Sequence, residues 1–429
     1  MLLGALKLAA LAAFLASVFG GVPRAPAVVL IWLAGIIAFA QVDAATRRLT
    51  VGLLLAGAVA TVWAVSSGAR FDPVAMGGIN LPIIALFLGV AFLSLVGGNV
   101  APASTTEISR PSAAGLWRTM GAIHLIGAVI NMSMVAIAGD RMARDGRLGR
   151  REAVLLARSY CAAAFWSPFF VAAAVAHTYA PDSRASLYIP LGLVGALCAF
   201  ALTAREVRRL EPDAPLPTFT PDRSALLLTA ALLAAALGLK ALLPAMPMVV
   251  IVAAVTPPLA LLLMPREPAR AVLERLLGST LPATASQVVL FLAAGVFAYG
   301  VSSLISVQME AIGVVSWVVP GWTYPLVTAL IILGAYAGLH PLITIAALSA
   351  VLLPAGAEHS LLAFGFLSGW AIGTAVAPLS GMNLFLIGRY RLRAREIATW
   401  GPGYALVMLA VVTVLMMAGG ALLDAEVLP

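Results

Sequence analysis

The chain has 429 residues, 62% of them hydrophobic and 10% charged, with a formal net charge of +8. So few charges cannot solvate a water-soluble globule of this length, which excludes that class and specifies a polytopic membrane protein. The positive balance lies in short loops between apolar runs, so it requires no nucleic-acid partner.

A helix needs roughly 20 apolar residues to cross a hydrocarbon core of about 30 Å. In chain order, eleven transmembrane helices are predicted near 3–20, 25–41, 49–67, 81–100, 153–178, 185–204, 225–243, 247–264, 284–304, 360–387 and 401–421. The first carries Lys7 and ends in small residues, as a secretory leader does, but another apolar run starts at residue 25 and the segment reads as a span. Two further apolar stretches, 111–139 and 323–354, are each too long for one crossing and too short for two. With both folded as re-entrant hairpins, the loops at 42–48, 101–118, 140–158, 205–223, 265–281 and 388–396 share one side and hold 21 of the 26 Lys and Arg. Basic loops stay in the cytoplasm during insertion. The first hairpin therefore opens to the cytoplasm and the second to the exterior of a cell (inner) membrane, with the N-terminus inside and the C-terminus outside. Cys161 and Cys198 both fall within spans and imply no disulfide framework.

The elements also repeat. "GAIHLIGAVINMSMVAIAG" (Gly121 to Gly139) aligns with "AGLHPLITIAALSAVLLPAG" (Ala337 to Gly356), placing His124 opposite His340. Each hairpin is preceded by a plain span and an amphipathic surface arm, at 101–110 and 305–318, and followed by a span interrupted at proline. A hairpin adds no net crossing, so each half crosses three times and the second copy is inverted. The expected organisation is two inverted-topology repeats, 68–224 and 265–421, with scaffold spans at 1–67 and 225–264.

Backbone that leaves helical geometry inside a bilayer exposes N–H and C=O groups, each costing several kcal/mol unless buried in protein or lining a polar cavity. Proline suits the first position of a helix and serine the position before it. Ser167-Pro168, His340-Pro341 and Ala377-Pro378 are therefore expected to start half-helices whose positive ends face a common anion site. Gly121 and Gly338 allow tight hairpin tips that present His124 and His340. Ser159, Ser167, Thr374, Ser380 and Asn383 supply neutral oxygens and amides, and the freed carbonyls suit a cation. Together Gly121, His124, Ser159, Ser167, Pro168, Gly338, His340, Pro341, Thr374, Pro378, Ser380 and Asn383 form the expected substrate and ion site. Arg158 enters the first broken span near its cytoplasmic end and is expected to snorkel back to water. No Asp or Glu falls at mid-depth of a span, so coupling is left to Na⁺ on backbone and hydroxyl oxygens or to protons on histidine.

This order of spans, hairpins, arms and broken spans resembles the ion transporter superfamily, which includes the divalent anion:sodium symporters and, more distantly, citrate, gluconate and arsenite permeases and the large membrane subunits of TRAP transporters. The resemblance covers residues 45–421. It implies a homodimeric secondary transporter in which a scaffold supports an elevator-like transport domain. The Ser-Asn-Thr signatures of the divalent anion:sodium symporters are missing: the tips read "GAIHLIG" and "GLHPLIT", the breaks "WSPFF" and "VAPLSG". A dicarboxylate substrate and Na⁺ coupling therefore do not carry over. The expected function is ion-coupled, elevator-type transport of a small carboxylate or oxyanion without a resident cofactor, and not catalysis. An efflux permease or the membrane subunit of a binding-protein-dependent system is the alternative, and an intramembrane enzyme a remote one.

Overall fold

The computed structural model describes residues 1–96, 113–130, 132–210, 212, 223–311 and 319–427. Among these, twenty α-helices follow one another: α1 (Leu2–Phe19), α2 (Ala25–Phe39), α3 (Ala44–Ser66), α4 (Pro73–Gly78), α5 (Leu81–Ala91), α6 (Ala113–Ile130), α7 (Met132–Met142), α8 (Arg150–Cys161), α9 (Val171–Tyr179), α10 (Ala185–Leu210), α11 (Arg223–Leu242), α12 (Met248–Leu263), α13 (Ala269–Arg275), α14 (Ala285–Ala311), α15 (Thr323–Tyr336), α16 (Pro341–Leu352), α17 (His359–Val376), α18 (Gly381–Tyr390), α19 (Ala394–Trp400) and α20 (Pro402–Val427). Seven helical stretches among the described residues are long and apolar enough to cross a membrane, with shorter apolar helices between them. The molecule is an all-helical polytopic membrane protein, and over the described residues each predicted span coincides with a helix or a helix pair of this series, residues 97–100 of the fourth lying outside them.

Local chemistry sets the helix ends. Asp43 caps α3, its carboxylate accepting from the Ala45 and Thr46 N–H groups at 2.9 Å. Asp72 does the same for α4, and Glu358 accepts from Leu361 N–H at the start of α17. Two predicted features differ. The second surface arm does not begin at residue 305, because α14 continues through Ala311; its remainder at 312–318, and the whole first arm at 101–110, lie outside the described residues. The loop predicted at 265–281 instead contains α13 and a π-turn at Leu276–Thr280.

The chain divides into two compact units. The first comprises Met1–Asn99, Ala231–Val318 and Ala346–Ala357. Here α14 packs along α3, and a Cβ at Gly57 or Gly300 would overlap the facing backbone. Close approach at small residues is how membrane helices gain packing energy, since lipid tails are as apolar as leucine. Lys7 of α1 is fully buried, donating to the Leu281 carbonyl at 2.9 Å and to Thr284 Oγ1 at 3.0 Å. Those acceptors sit where the π-turn meets Pro282, a residue that has no N–H to close the ladder.

The second unit comprises Val100–Ala230, Val319–Ile345 and Glu358–Pro429. Its centre is α17, which contacts α8, α9, α10, α15 and α20 and buries almost every residue, Ser360 and Ser368 included. A helix apolar on all sides belongs inside such a bundle.

Candidate functional site

All twelve residues expected to form the site lie in the second unit. The first hairpin differs from expectation. "GAIHLIG" makes no turn: Gly121 and His124 lie within continuous α6, which runs to Ile130, and residue 131 lies outside the described residues. His124 is therefore a helix-interior residue, buried against α8 and the segment that follows it. The Trp166 indole N–H donates to His124 Nε2 at 3.0 Å, while Nδ1 lies 3.2 Å from the Ser159 carbonyl. With Nε2 accepting, Nδ1 carries the proton and donates, so both ring nitrogens are committed in the neutral tautomer. Phe200 packs edge-on to the same ring at 5.0 Å. Ser159 contributes its carbonyl, while its hydroxyl is buried without a hydrogen-bond partner among the described residues.

The first broken span also departs in detail. Helix α8 tightens into a 3₁₀ turn at Ala162–Phe165, and α9 begins only at Val171 with Phe170 before it. Ser167-Pro168 thus lies in the connecting turn instead of starting a half-helix. Ser167 Oγ donates to the Ala128 carbonyl of α6 and accepts from Phe169 N–H, both at 3.3 Å. The Ala128 carbonyl lies in the last turn of α6, where helical N–H donors run out. Ser167 supplies a donor to it.

At the second predicted tip the chain does interrupt its helix. α15 ends in a left-handed residue, Gly338, at φ +86°. Leu339 N–H returns to the Gly334 carbonyl at 2.9 Å and Gly338 N–H to that of Ala335 at 3.0 Å, the paired bonds of a Schellman ending. Pro341 occupies the first position of α16, where its missing N–H leaves no gap. His340 Nδ1 accepts from Leu342 N–H at 3.3 Å, and its ring stands edge-on to Trp370 at 5.1 Å. Each hairpin histidine therefore packs against a tryptophan of the broken span that follows it, though Trp166 sits at its break and Trp370 within α17.

At the second break, Pro378 falls in the turn, and Gly381 opens α18 with Ser380 as its cap. Ser380 Oγ accepts from Asn383 N–H at 3.2 Å and donates to the Thr374 carbonyl at 2.7 Å. Asn383 Nδ2 donates to the Ala377 carbonyl at 2.9 Å and reaches that of Ala375 at 3.3 Å. Ser380 and Asn383 therefore cover the carbonyls that the end of α17 leaves open, and Thr374 takes part through its backbone. The hairpin tip rests on this break, where a Cβ at Gly338 would lie 3.1 Å from Leu379 Cδ1.

Arg158 corrects the expectation of snorkelling: its side chain is only 3% exposed. It donates to Glu206 Oε2 at 2.6 Å and to the Trp400 carbonyl at 3.1 Å, and its guanidinium carbon lies 4.1 Å from the centre of the Tyr404 ring. Glu206 also pairs with Arg150 at 2.8 Å, so two guanidinium groups share one carboxylate and leave a positive excess. A cavity of about 20 Å³ adjoins Arg158, walled by Asn383, Val376, Ile397, Trp400 and Gly401. Near it the Tyr336 hydroxyl is buried without a hydrogen-bond partner among the described residues, and a Cβ at Gly401 would overlap it. The sequence signal was present: Arg158 follows Val154 and Leu155, and Glu206 stands between Ala204 and Val207, all of which are buried.

No protein-family model matches the chain, and no curated protein matches it. Among solved structures its fold is similar to the crystal structure of the Alcanivorax borkumensis YdaH transporter, reported to have an unusual topology. The match has a TM-score of 0.58 at 16% identity and covers 86% of this chain and 97% of that one. At that identity the likeness establishes the fold: this chain is a polytopic, all-helical integral membrane protein.

Proposed function

We propose that this protein is a secondary active transporter of a small carboxylate or oxyanion, coupled to Na⁺ or H⁺, in which the second unit carries the anion. The observation that carries this reading is the buried guanidinium of Arg158. It borders a cavity shared with Asn383 of the second broken span, and its charge is only partly offset because Glu206 also serves Arg150. Buried charge is costly and marks ligand pathways in membrane proteins. The similarity to a solved transporter supports the class. The concentration of both broken spans and of all twelve expected site residues in one of two units supports elevator-type alternating access in a homodimer, as the ion transporter superfamily would have it. A cavity of about 20 Å³ holds roughly one water, so an organic anion enters only when its walls on α8, α17, α18 and α19 part.

Purified protein in proteoliposomes, offered a panel of labelled carboxylates and oxyanions under imposed Na⁺, proton and voltage gradients, tests the reading. Saturable uptake of at least one anion is expected, with KM raised at least tenfold in Arg158→Lys, which keeps the charge but loses the guanidinium geometry. Transport of cations or neutral solutes alone overturns it. Anion uptake that needs an added soluble binding protein would favour the binding-protein-dependent alternative.

A further inference from the structure

We propose that a cleft among α2, α3 and α14 in the first unit holds one acyl chain of an anionic phospholipid, with the lipid phosphate on Arg47 and its ester oxygens at Thr50. The cleft has a volume of about 240 Å³ and is walled chiefly by Trp32, Ile36, Phe39, Thr50, Leu54 and Leu292. On α2 the lining positions 32, 35, 36 and 39 follow one helical face for roughly 10 Å at 1.5 Å per residue. Ile36 is 67% exposed, so the cleft opens sideways to the surrounding hydrocarbon.

Three groups give the cleft a polar end and an apolar end. Arg47 is exposed, with its guanidinium carbon 5.5 Å from the centre of the Phe39 ring, which itself walls the cleft. Arg47 Nη2 donates to the Ala40 and Val42 carbonyls at 3.3 Å, and no carboxylate is among its described partners. One turn further along α3, Thr50 is 2% exposed and its hydroxyl has no hydrogen-bond partner among the described residues, although buried polar groups normally have one. Beyond Thr50 the walls are hydrocarbon and aromatic. Guanidinium, hydroxyl and apolar groove follow one another as phosphate, ester and acyl chain do in a phospholipid. Exposed basic residues at the cytoplasmic surface attract anionic headgroups in particular. A hydrocarbon occupant alone would leave both Thr50 and Arg47 unanswered. The inference rests on the membrane fold and is independent of what is transported.

Native mass spectrometry of the delipidated full chain, titrated with phosphatidylglycerol and separately with phosphatidylethanolamine, reads the site. One tightly retained phosphatidylglycerol per chain is expected, at least tenfold weakened by Ile36→Trp, which fills the opening from the lipid side, and several-fold weakened by Arg47→Gln. Ile36 faces lipid, so its replacement should leave the fold intact. Quenching by phosphatidylglycerol with brominated acyl chains checks position: a component absent from Trp32→Phe is expected in the wild-type protein and reduced in Arg47→Gln. Equal retention of both lipids, unchanged retention in Ile36→Trp, or conversion of a dimer to a monomer by Ile36→Trp with lipid retention unaltered would each overturn the proposal, the last by assigning the cleft to a second copy of the chain.

Discussion

Trp166 donates its indole N–H to Nε2 of His124 at 3.0 Å, and this contact decides which nitrogen of the histidine carries the proton. Trp166→Phe keeps an aromatic ring but removes the donor, leaving a buried acceptor unanswered. A loss of about 1 kcal/mol is expected, measured by thermal unfolding in detergent. Long-range ¹H–¹⁵N spectra of labelled histidine should show the Nδ1–H tautomer in wild-type protein. An Nε2–H tautomer would refute the arrangement.

Gly338 occupies a left-handed conformation in which a Cβ costs roughly 1–2 kcal/mol. Gly338→Ala should lower stability by that amount and also press on Leu379. Adding Leu379→Ala relieves the contact but not the backbone penalty, so the double variant should recover only part of the loss. Full recovery would mean that the backbone conformation is not the constraint.

The Arg158–Glu206 pair can be tested by a double-mutant cycle. Glu206→Gln leaves a buried guanidinium without its carboxylate and should destabilise by about 2–4 kcal/mol, below the upper end for buried pairs because Glu206 is 25% exposed. Adding Arg158→Met removes the stranded charge and should restore much of that stability while abolishing anion uptake. Two additive losses would show that the groups are not coupled.

Asn383 closes the second break by donating from Nδ2 to carbonyls at the end of α17. Asn383→Ala should cost about 1–3 kcal/mol through unsatisfied acceptors. Asn383→Asp should be worse, because a carboxylate would face those carbonyls with no proton to give. Circular dichroism melts of the two variants establish the order.

Asp43 lies outside the spans at the start of α3, and a hydrogen bond from the Thr46 side chain, with backbone N–H bonds, holds its carboxyl below the usual 3.8. A lowered native value gives stability that is present above the unfolded value and lost as pH falls through the native one. Asp43→Ala should therefore cost about 0.5–1 kcal/mol near neutrality, and the gap to wild type should narrow below about pH 4. A gap that stayed constant into acid would exclude the carboxylate as its source.

The apolar helices were legible in the sequence because crossing a bilayer demands long apolar runs, and the break between α15 and α16 because Gly338 and Pro341 interrupt a helix unambiguously. The turn expected at Gly121–His124 is not there, because a glycine or histidine within an apolar run is equally compatible with a continuous helix. What keeps His124 there is Trp166, 42 residues away, a partner that no local pattern reveals. Arg158 was misread for the same reason, since its carboxylate is 48 residues distant. At Ser380 and Asn383 the polar groups were found, but a side chain that caps its own helix and one that holds a ligand look alike until the distances are known.

The bond from Ser167 to the Ala128 carbonyl has a mechanical meaning. The turn after α8 donates to a carbonyl in the last turn of α6, so separating the two breaks a hydrogen bond inside the membrane, where an acceptor left bare costs several kcal/mol. Helix α6 and the first broken span are latched at that point. A displacement that keeps the latch closed must carry both together, with hinges placed elsewhere in the chain.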